Sequence, residues 1–414
     1  MKFALHSIFF AFLFTVSSFS IFSQNADFVE LSEEERQRNR NRFIGVQANS
    51  GIILQTDEFT STFATRYYQS LSLKFGFRST GNSWQDFAFG MPYVGVGLRF
   101  IDFPTKRDVF GNPIAVYMFH GGTIRNLSPR FSLHYEWNLG ASFNWWHFCP
   151  FDNPENVVFS TSTNVYASLG AYARWRMTPR MDLHLGAAFN HFSNGATRLP
   201  NRGMNLFSPF VEVTYALDPQ DRDMSAPTPI PPPSEFQQRI DYEFKLTISS
   251  RQTRVDTLGT GLPSRYINHN FPVLGFSFTP LVVPNHRFRY GIGLDLVYDR
   301  SNNIRAWREQ NLDTGNMYDR LELAPFSERI SMGLSARGEI TMPAYSLFAN
   351  FGYNIIQATD ATRLYQVIGV KFYPRDEMFV TFGIRATNFS RAQYLYWSVG
   401  YTLRGRPLGA GRRR

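Results

Sequence analysis

The sequence predicts an all-β chain, an antiparallel transmembrane β-barrel of the bacterial outer membrane, and three observations carry the expectation. Apolar and polar residues alternate with period two over many windows of ten or more residues, as in a strand that separates water from lipid. The 414 residues are 43% hydrophobic, 16% aromatic and only 18% charged, with 30 glycines spread along the chain, and the mean hydropathy is slightly negative. This composition excludes a disordered or collagen-like chain. Finally, Met1-Lys2, an apolar core from Ile8 to Phe14 and small residues up to Ser23 have the layout of an export signal, cleaved near Ser23-Gln24. Beyond that segment no apolar run reaches the roughly 18 residues a spanning helix needs, which excludes a helical membrane protein.

Residues 24–42 form a polar N-terminal segment. Candidate strands follow near 43–55, 62–79, 91–103, 113–125, 130–146, 164–177, 181–194 and 204–217. The alternation is clearest in 131–145, where Phe131, Leu133, Tyr135, Trp137, Leu139, Ala141, Phe143 and Trp145 oppose Ser132, His134, Glu136, Asn138, Gly140, Ser142 and Asn144. The connections at 104–112, 147–163 and 195–203 are long, whereas 126–129 and 178–180 are tight. Barrels of this class keep tight turns on the periplasmic side, so 195–203 is expected outside. Residues 218–237, with Pro219, Pro227, Pro229 and Pro231 to Pro233, read as a periplasmic connector, because so many prolines cannot sit in a central strand. Eight further candidates lie near 239–251, 270–282, 287–298, 329–341, 345–356, 364–373, 378–388 and 393–403, before a basic tail at 405–414. The pattern is compatible with one sixteen-stranded wall or two eight-stranded ones.

Charge and cysteine usage add little chemistry. The net charge of +9 owes much to Arg404, Arg406 and Arg412 to Arg414, read as an exposed end near anionic surfaces and not as a nucleic-acid site. Cys149 is the only cysteine, so neither a disulfide framework nor a multi-cysteine metal site is expected.

Parity singles out one place. In 181–194, His191 and Ser193 fall on the face of Leu183, Leu185, Ala187 and Phe189, and Asn205 joins that face on the next strand with Phe207, Val211 and Val213. Polar groups among lipid are costly, so three of them converging near the exterior rim mark a functional site. The residue types suit acyl transfer. A serine hydroxyl needs a base, His191 is the nearby side chain with a suitable proton affinity, and Asn205 is placed to fix its tautomer. Backbone N–H groups at Asn194 and Gly195 are the candidate oxyanion donors. No metal or other cofactor is required.

The string His191-Phe192-Ser193-Asn194-Gly195, continued by Pro200-Asn201-Arg202-Gly203-Met204-Asn205, resembles the signature of outer-membrane lipid A deacylases, the acyloxyacyl hydrolase-like family. The resemblance implies His191 as base, Ser193 as nucleophile, Asn194 in the oxyanion hole, and lipid A of lipopolysaccharide in the outer leaflet as the membrane partner. The family usually has a glutamate where this chain has Asn205. A looser likeness extends over about 90–217. The His-Ser-Asn set is also similar to outer-membrane phospholipase A, which implies calcium, for which Asp152, Asn153 and Glu155 are candidate ligands. A non-enzymatic, porin-like or structural barrel is the remaining alternative. Near the end of the second half, Asn388-Phe389-Ser390-Arg391 follows Pro374-Arg375 as His191-Phe192-Ser193-Asn194 follows Pro179-Arg180, compatible with a degenerate repeat or with convergence of two barrel strands with similar turns; asparagine cannot serve as the base. His134, His184 and Glu136 share the interior face, where they pack by hydrogen bonds or line a metal site or pore, and Trp145, Trp146 and His147 read as an interfacial girdle.

Overall fold

The computed structural model describes residues 41–54, 66–79, 86, 89–104, 109–217, 236–255, 265–266, 269–342, 345–357, 363–388 and 391–408. The export signal, most of the connector, most of the basic tail, and Phe389 and Ser390 lie outside these residues. The first eight strands are β1 (Arg42–Leu54), β2 (Tyr67–Arg78), β3 (Tyr93–Asp102), β4 (Ile114–Asn126), β5 (Phe131–Phe143), β6 (Asn164–Arg176), β7 (Met181–Ser193) and β8 (Met204–Ala216). Each pairs antiparallel with its neighbours, and β8 returns to β1 with Phe43 opposite Ala216 and Leu54 opposite Asn205. The wall closes at eight strands.

The chain then builds β9 (Arg239–Arg251), β10 (Arg254–Val255), β11 (Arg265–Tyr266), β12 (Phe271–Val283), β13 (Phe288–Asp299), β14 (Arg305–Gln310), β15 (Met317–Glu322), β16 (Ile330–Thr341), β17 (Tyr345–Gln357), β18 (Leu364–Phe372), β19 (Met378–Thr387) and β20 (Arg391–Leu403). Eight of these close a second barrel in the order β12-β13-β16-β17-β18-β19-β20-β9, while β10-β11 and β14-β15 are small two-stranded ribbons in its loops. The open question of one wall or two is therefore settled as two. Closure leaves neither sheet an edge whose backbone groups would be bare in lipid.

Alternation sorts the side chains as expected. On β2, Leu71, Leu73, Phe75 and Phe77 are exposed on the outside, while Ser70, Ser72 and Lys74 are buried within. An eight-stranded wall is just wide enough for side chains to fill its interior. Lys74 Nζ lies 2.7 Å from Glu136 Oε2 and 3.0 Å from Glu212 Oε2, and Arg99 donates to Ser72 Oγ at 2.9 Å and to Asn190 Oδ1 at 2.6 Å. His134 meets Ser132 Oγ at 2.8 Å, and His184 stacks on Tyr172; with Glu136 they belong to a packed polar core. The second barrel repeats the plan. Lys371 bridges Glu243 and Glu339, and Asp295 accepts from Ser277, Ser335, Tyr365 and Arg337.

One expectation is corrected. Trp145 belongs to no girdle, because β5 ends at Phe143 and Asn144 takes a positive φ of 66°, which breaks the parity and turns the indole inward. Its N–H donates to Ser142 Oγ at 2.8 Å, and its rings pack on Phe159 and Phe192. Trp146 stays exposed.

Candidate functional site

Strand register sets the site. His191 stands directly opposite Asn205 on β8 and Ala167 on β6, and Ser193 stands opposite Val165. Phe189, Leu185, Phe207 and Val211 are exposed on the same face, while Asn190 and Phe192 are buried on the other, the Asn190 amide held by Arg99, Tyr166 and Tyr68. His191, Ser193 and Asn205 thus belong to the outward face at the end opposite the turns around Arg130 and Pro179. Ser193 is only 4% exposed, because the 194–203 connection folds over it.

His191 Nδ1 and Asn205 Oδ1 are 2.6 Å apart. The amide oxygen has no proton to give, so Nδ1 donates and Nε2 keeps its lone pair. Ser193 Oγ accepts from Gly195 N at 3.0 Å and from Asn201 Nδ2 at 2.9 Å. A hydroxyl has two acceptor lone pairs and one proton. Both lone pairs are filled, and the proton remains to be donated. The imidazole and hydroxyl make no hydrogen bond to each other in this geometry, yet both side chains border the space beside Gly203. A Cβ on Gly203, whose φ is +73°, would stand 3.2 Å from His191 Cε1 and 3.4 Å from Ser193 Cβ. Glycine at 203 lets the backbone turn there while lying against both groups.

The loop is rigidly tied. Asn194 N donates to Asn201 Oδ1 at 3.1 Å, so Asn201 grips the segment from both of its amide ends. Asn194 Nδ2 lies 3.1 Å from Ser160 Oγ, 3.2 Å from Thr161 Oγ1 and 3.0 Å from Arg198 O. Arg202 N and Gly203 N donate to Val157 O and Val158 O of the β5–β6 loop. That loop is itself pinned by Asn156, whose Oδ1 accepts from Val158 N and Phe159 N and whose Nδ2 donates to Val109 O and Trp146 O. The structure therefore brings together His191, Ser193, Asn205 and Gly195, and places the Asn194 side chain in the loop scaffold, away from Ser193. Asn201 is the residue that parity reasoning missed. Its signal was the Pro200-Asn201-x-Gly203 turn chemistry, which marks a built loop but not which amide faces the serine.

Of the residues considered for calcium, Asn153 is buried with Nδ2 donating to Val109 O at 3.2 Å, and Asp152 accepts from Cys149 Sγ. Among the described residues no three His, Cys, Asp or Glu side chains cluster as a metal site.

A family model described as "Acyloxyacyl hydrolase, C-terminal domain" matches residues 240–405, the span of the second barrel. No curated protein sequence matches the chain. Among solved structures, Neisserial surface protein A is 9% identical, with 42% of this chain and 97% of that one covered at a TM-score of 0.31. The outer membrane enzyme PagL is 14% identical, with 41% and 97% covered at a TM-score of 0.30. The siderophore receptor PirA from Pseudomonas aeruginosa is 10% identical, with 88% and 81% covered at 0.23. The chain is a bacterial outer-membrane protein built of two eight-stranded barrels, and its second barrel is similar to the acyloxyacyl hydrolase family.

Proposed function

We propose that the first barrel is an ester hydrolase that removes an acyl chain from lipid A, with Ser193 as nucleophile, His191 as general base and then acid, and Asn205 orienting the imidazole. One observation carries the reading: at the rim of the outward face, a serine whose two lone pairs are filled by donors stands beside a histidine whose Nδ1 is held by Asn205 and whose Nε2 has no hydrogen-bond partner among the described residues. Ser193 Oγ attacks the ester carbonyl carbon and passes its proton to Nε2. The carbonyl oxygen becomes an oxyanion, for which Gly195 N–H and the Asn201 amide, already about 3 Å from Oγ, are the nearest donors. As the C–O bond breaks, Nε2 returns the proton to the leaving alkoxide. Water then cleaves the acyl-serine by the same route in reverse. Asn205 keeps Nδ1 protonated but supplies no full charge to the imidazolium.

The position supports the substrate class. The rim of the outer face meets outer-leaflet acyl chains near their ester carbonyls, so a substrate need not leave the bilayer. The test is the mass of lipid A from cells expressing the wild-type chain or Ser193→Ala. Loss of one acyl mass with wild type alone is expected, and an identical acylation pattern in both would refute the reading. The His191–Asn205 hydrogen bond also favours, as second reading, a phospholipase A-like activity; calcium-dependent phospholipid turnover with untouched lipid A would select it. A porin-like or structural role predicts that neither lipid changes.

A further inference from the structure

The outer face of the first barrel is not all lipid-facing. Phe89, Trp137, Tyr135 and Leu139 pack with Met342, Tyr345, Leu347, Val370 and Phe372 of the second barrel, and His120 lies edge-on to Tyr345. At the exterior end this seam reaches the candidate site. Gln252, just past the end of β9, is buried. Its side-chain Oε1 accepts from Leu199 N at 3.0 Å, and its backbone N–H donates to Ala196 O at 3.1 Å. Leu395 of β20 fills the space against Gly195, where a Cβ would collide with it. Ala196, next in line, holds a positive φ of 60°, a conformation that costs an alanine roughly 1–2 kcal/mol and persists only where neighbours impose it.

These contacts fall on the stretch from Gly195 to Leu199, which joins the two residues that present donors to Ser193. Gly195, whose N–H reaches Oγ, sits between Ser193 and the Ala196–Gln252 bond. Asn201, whose amide reaches Oγ from the other side, follows the Leu199–Gln252 bond by two residues. We infer that the second barrel is a clamp for the first barrel's active site, with Gln252 as a positioning residue that holds the 194–203 loop in the geometry by which Gly195 and Asn201 address Ser193. The inference rests on the proposed hydrolase reading for its consequence and on the seam alone for its structure. It assigns a task to a barrel that lacks its own histidine at the corresponding strand end, and it explains how two closed walls on one chain share one chemistry. Gln252 touches no reacting atom; its effect is on the placement of groups that do.

The experiment compares the full-length wild type, Gln252→Ala, Gln252→Glu and Ser193→Ala in outer-membrane vesicles containing lipopolysaccharide. Amide hydrogen exchange over 194–203 and the kcat and KM for lipid A deacylation are read together. Gln252→Ala should speed exchange in the loop and lower kcat about tenfold with KM little changed, since misplacing groups at a reaction centre costs turnover more than binding. Gln252→Glu should restore both, because a carboxylate oxygen also accepts the Leu199 N–H. Retained heat-modifiable migration of the folded barrels in detergent gels excludes simple unfolding. Unchanged loop exchange in Gln252→Ala would overturn the clamp, as would faster exchange with wild-type kcat or a glutamate variant no better than alanine. If wild type and Ser193→Ala are equally inert while exchange responds to Gln252, the clamp stands as structure, its positioning role is overturned, and the hydrolase reading is what fails.

Discussion

Both walls close over a buried lysine: Lys74 bridges Glu136 and Glu212 in the first, and Lys371 bridges Glu243 and Glu339 in the second. The barrels part company where β7 meets β8 and β19 meets β20. The first inserts 194–203 between those strands, a segment that folds back over its own rim, whereas 388–390 joins the equivalent pair in the second. His191 lies two residues inside the end of β7, whereas Asn388 follows the end of β19 at Thr387, and the second barrel's span contains only His269 and His286, neither on a strand. Yet the acyloxyacyl hydrolase family model falls on the second barrel. The difference teaches that the likeness over 240–405 and the proposed chemistry fall on different walls: the matched span holds neither His191 nor Ser193, which lie at the end of β7 in the other barrel.

The largest expected effect separates the two directly. Ser193→Ala should reduce lipid A deacylation by about a thousandfold or more, the scale of losing a nucleophile, and Ser390→Ala should leave it unchanged, both read by lipid A mass spectrometry. Next come the shared cores. Lys74→Met and Lys371→Met each leave two buried carboxylates facing one another, so each should destabilise its own barrel by about 3–5 kcal/mol in denaturant unfolding. A much smaller loss in one would break the symmetry claimed for the interiors. Gly203→Ala should cost roughly 1–2 kcal/mol through its positive φ and push on His191 and Ser193, lowering kcat while the second barrel's unfolding midpoint stays put. The smallest effect is a gain: Asn205→Glu supplies the imidazolium with a countercharge and should raise kcat by about threefold to tenfold, a change of order 1 kcal/mol, provided Nδ1 keeps its partner. Lower activity in that variant would show that the amide is the better fit here.

The wall was legible because a strand's side chains obey a strict two-residue rule, and the burial of water-facing polar residues against lipid-facing apolar ones enforces it. Candidate strands such as 239–251 and 164–177 match β9 and β6 to within a residue, and the outward parity of His191, Ser193 and Asn205 follows from the same rule. Parity does not extend into loops. The ribbons β10-β11 and β14-β15 went unseen, and Asn201 gave no sign that its amide reaches Ser193. Trp145 was misplaced because a single positive φ at Asn144 undoes the alternation that precedes it. The seam was invisible for a different reason: Trp137 and Leu347 look alike in sequence whether lipid or another barrel covers them.

The central claim is that the reactive serine belongs to the first barrel. It is tested most directly by treating the full-length protein in membranes with a lipophilic fluorophosphonate and mapping the modified peptide by mass spectrometry. A label on Ser193, lost in His191→Ala, is the predicted result. A label on a serine between 240 and 405, or none at all under conditions where lipid A is deacylated, would contradict it.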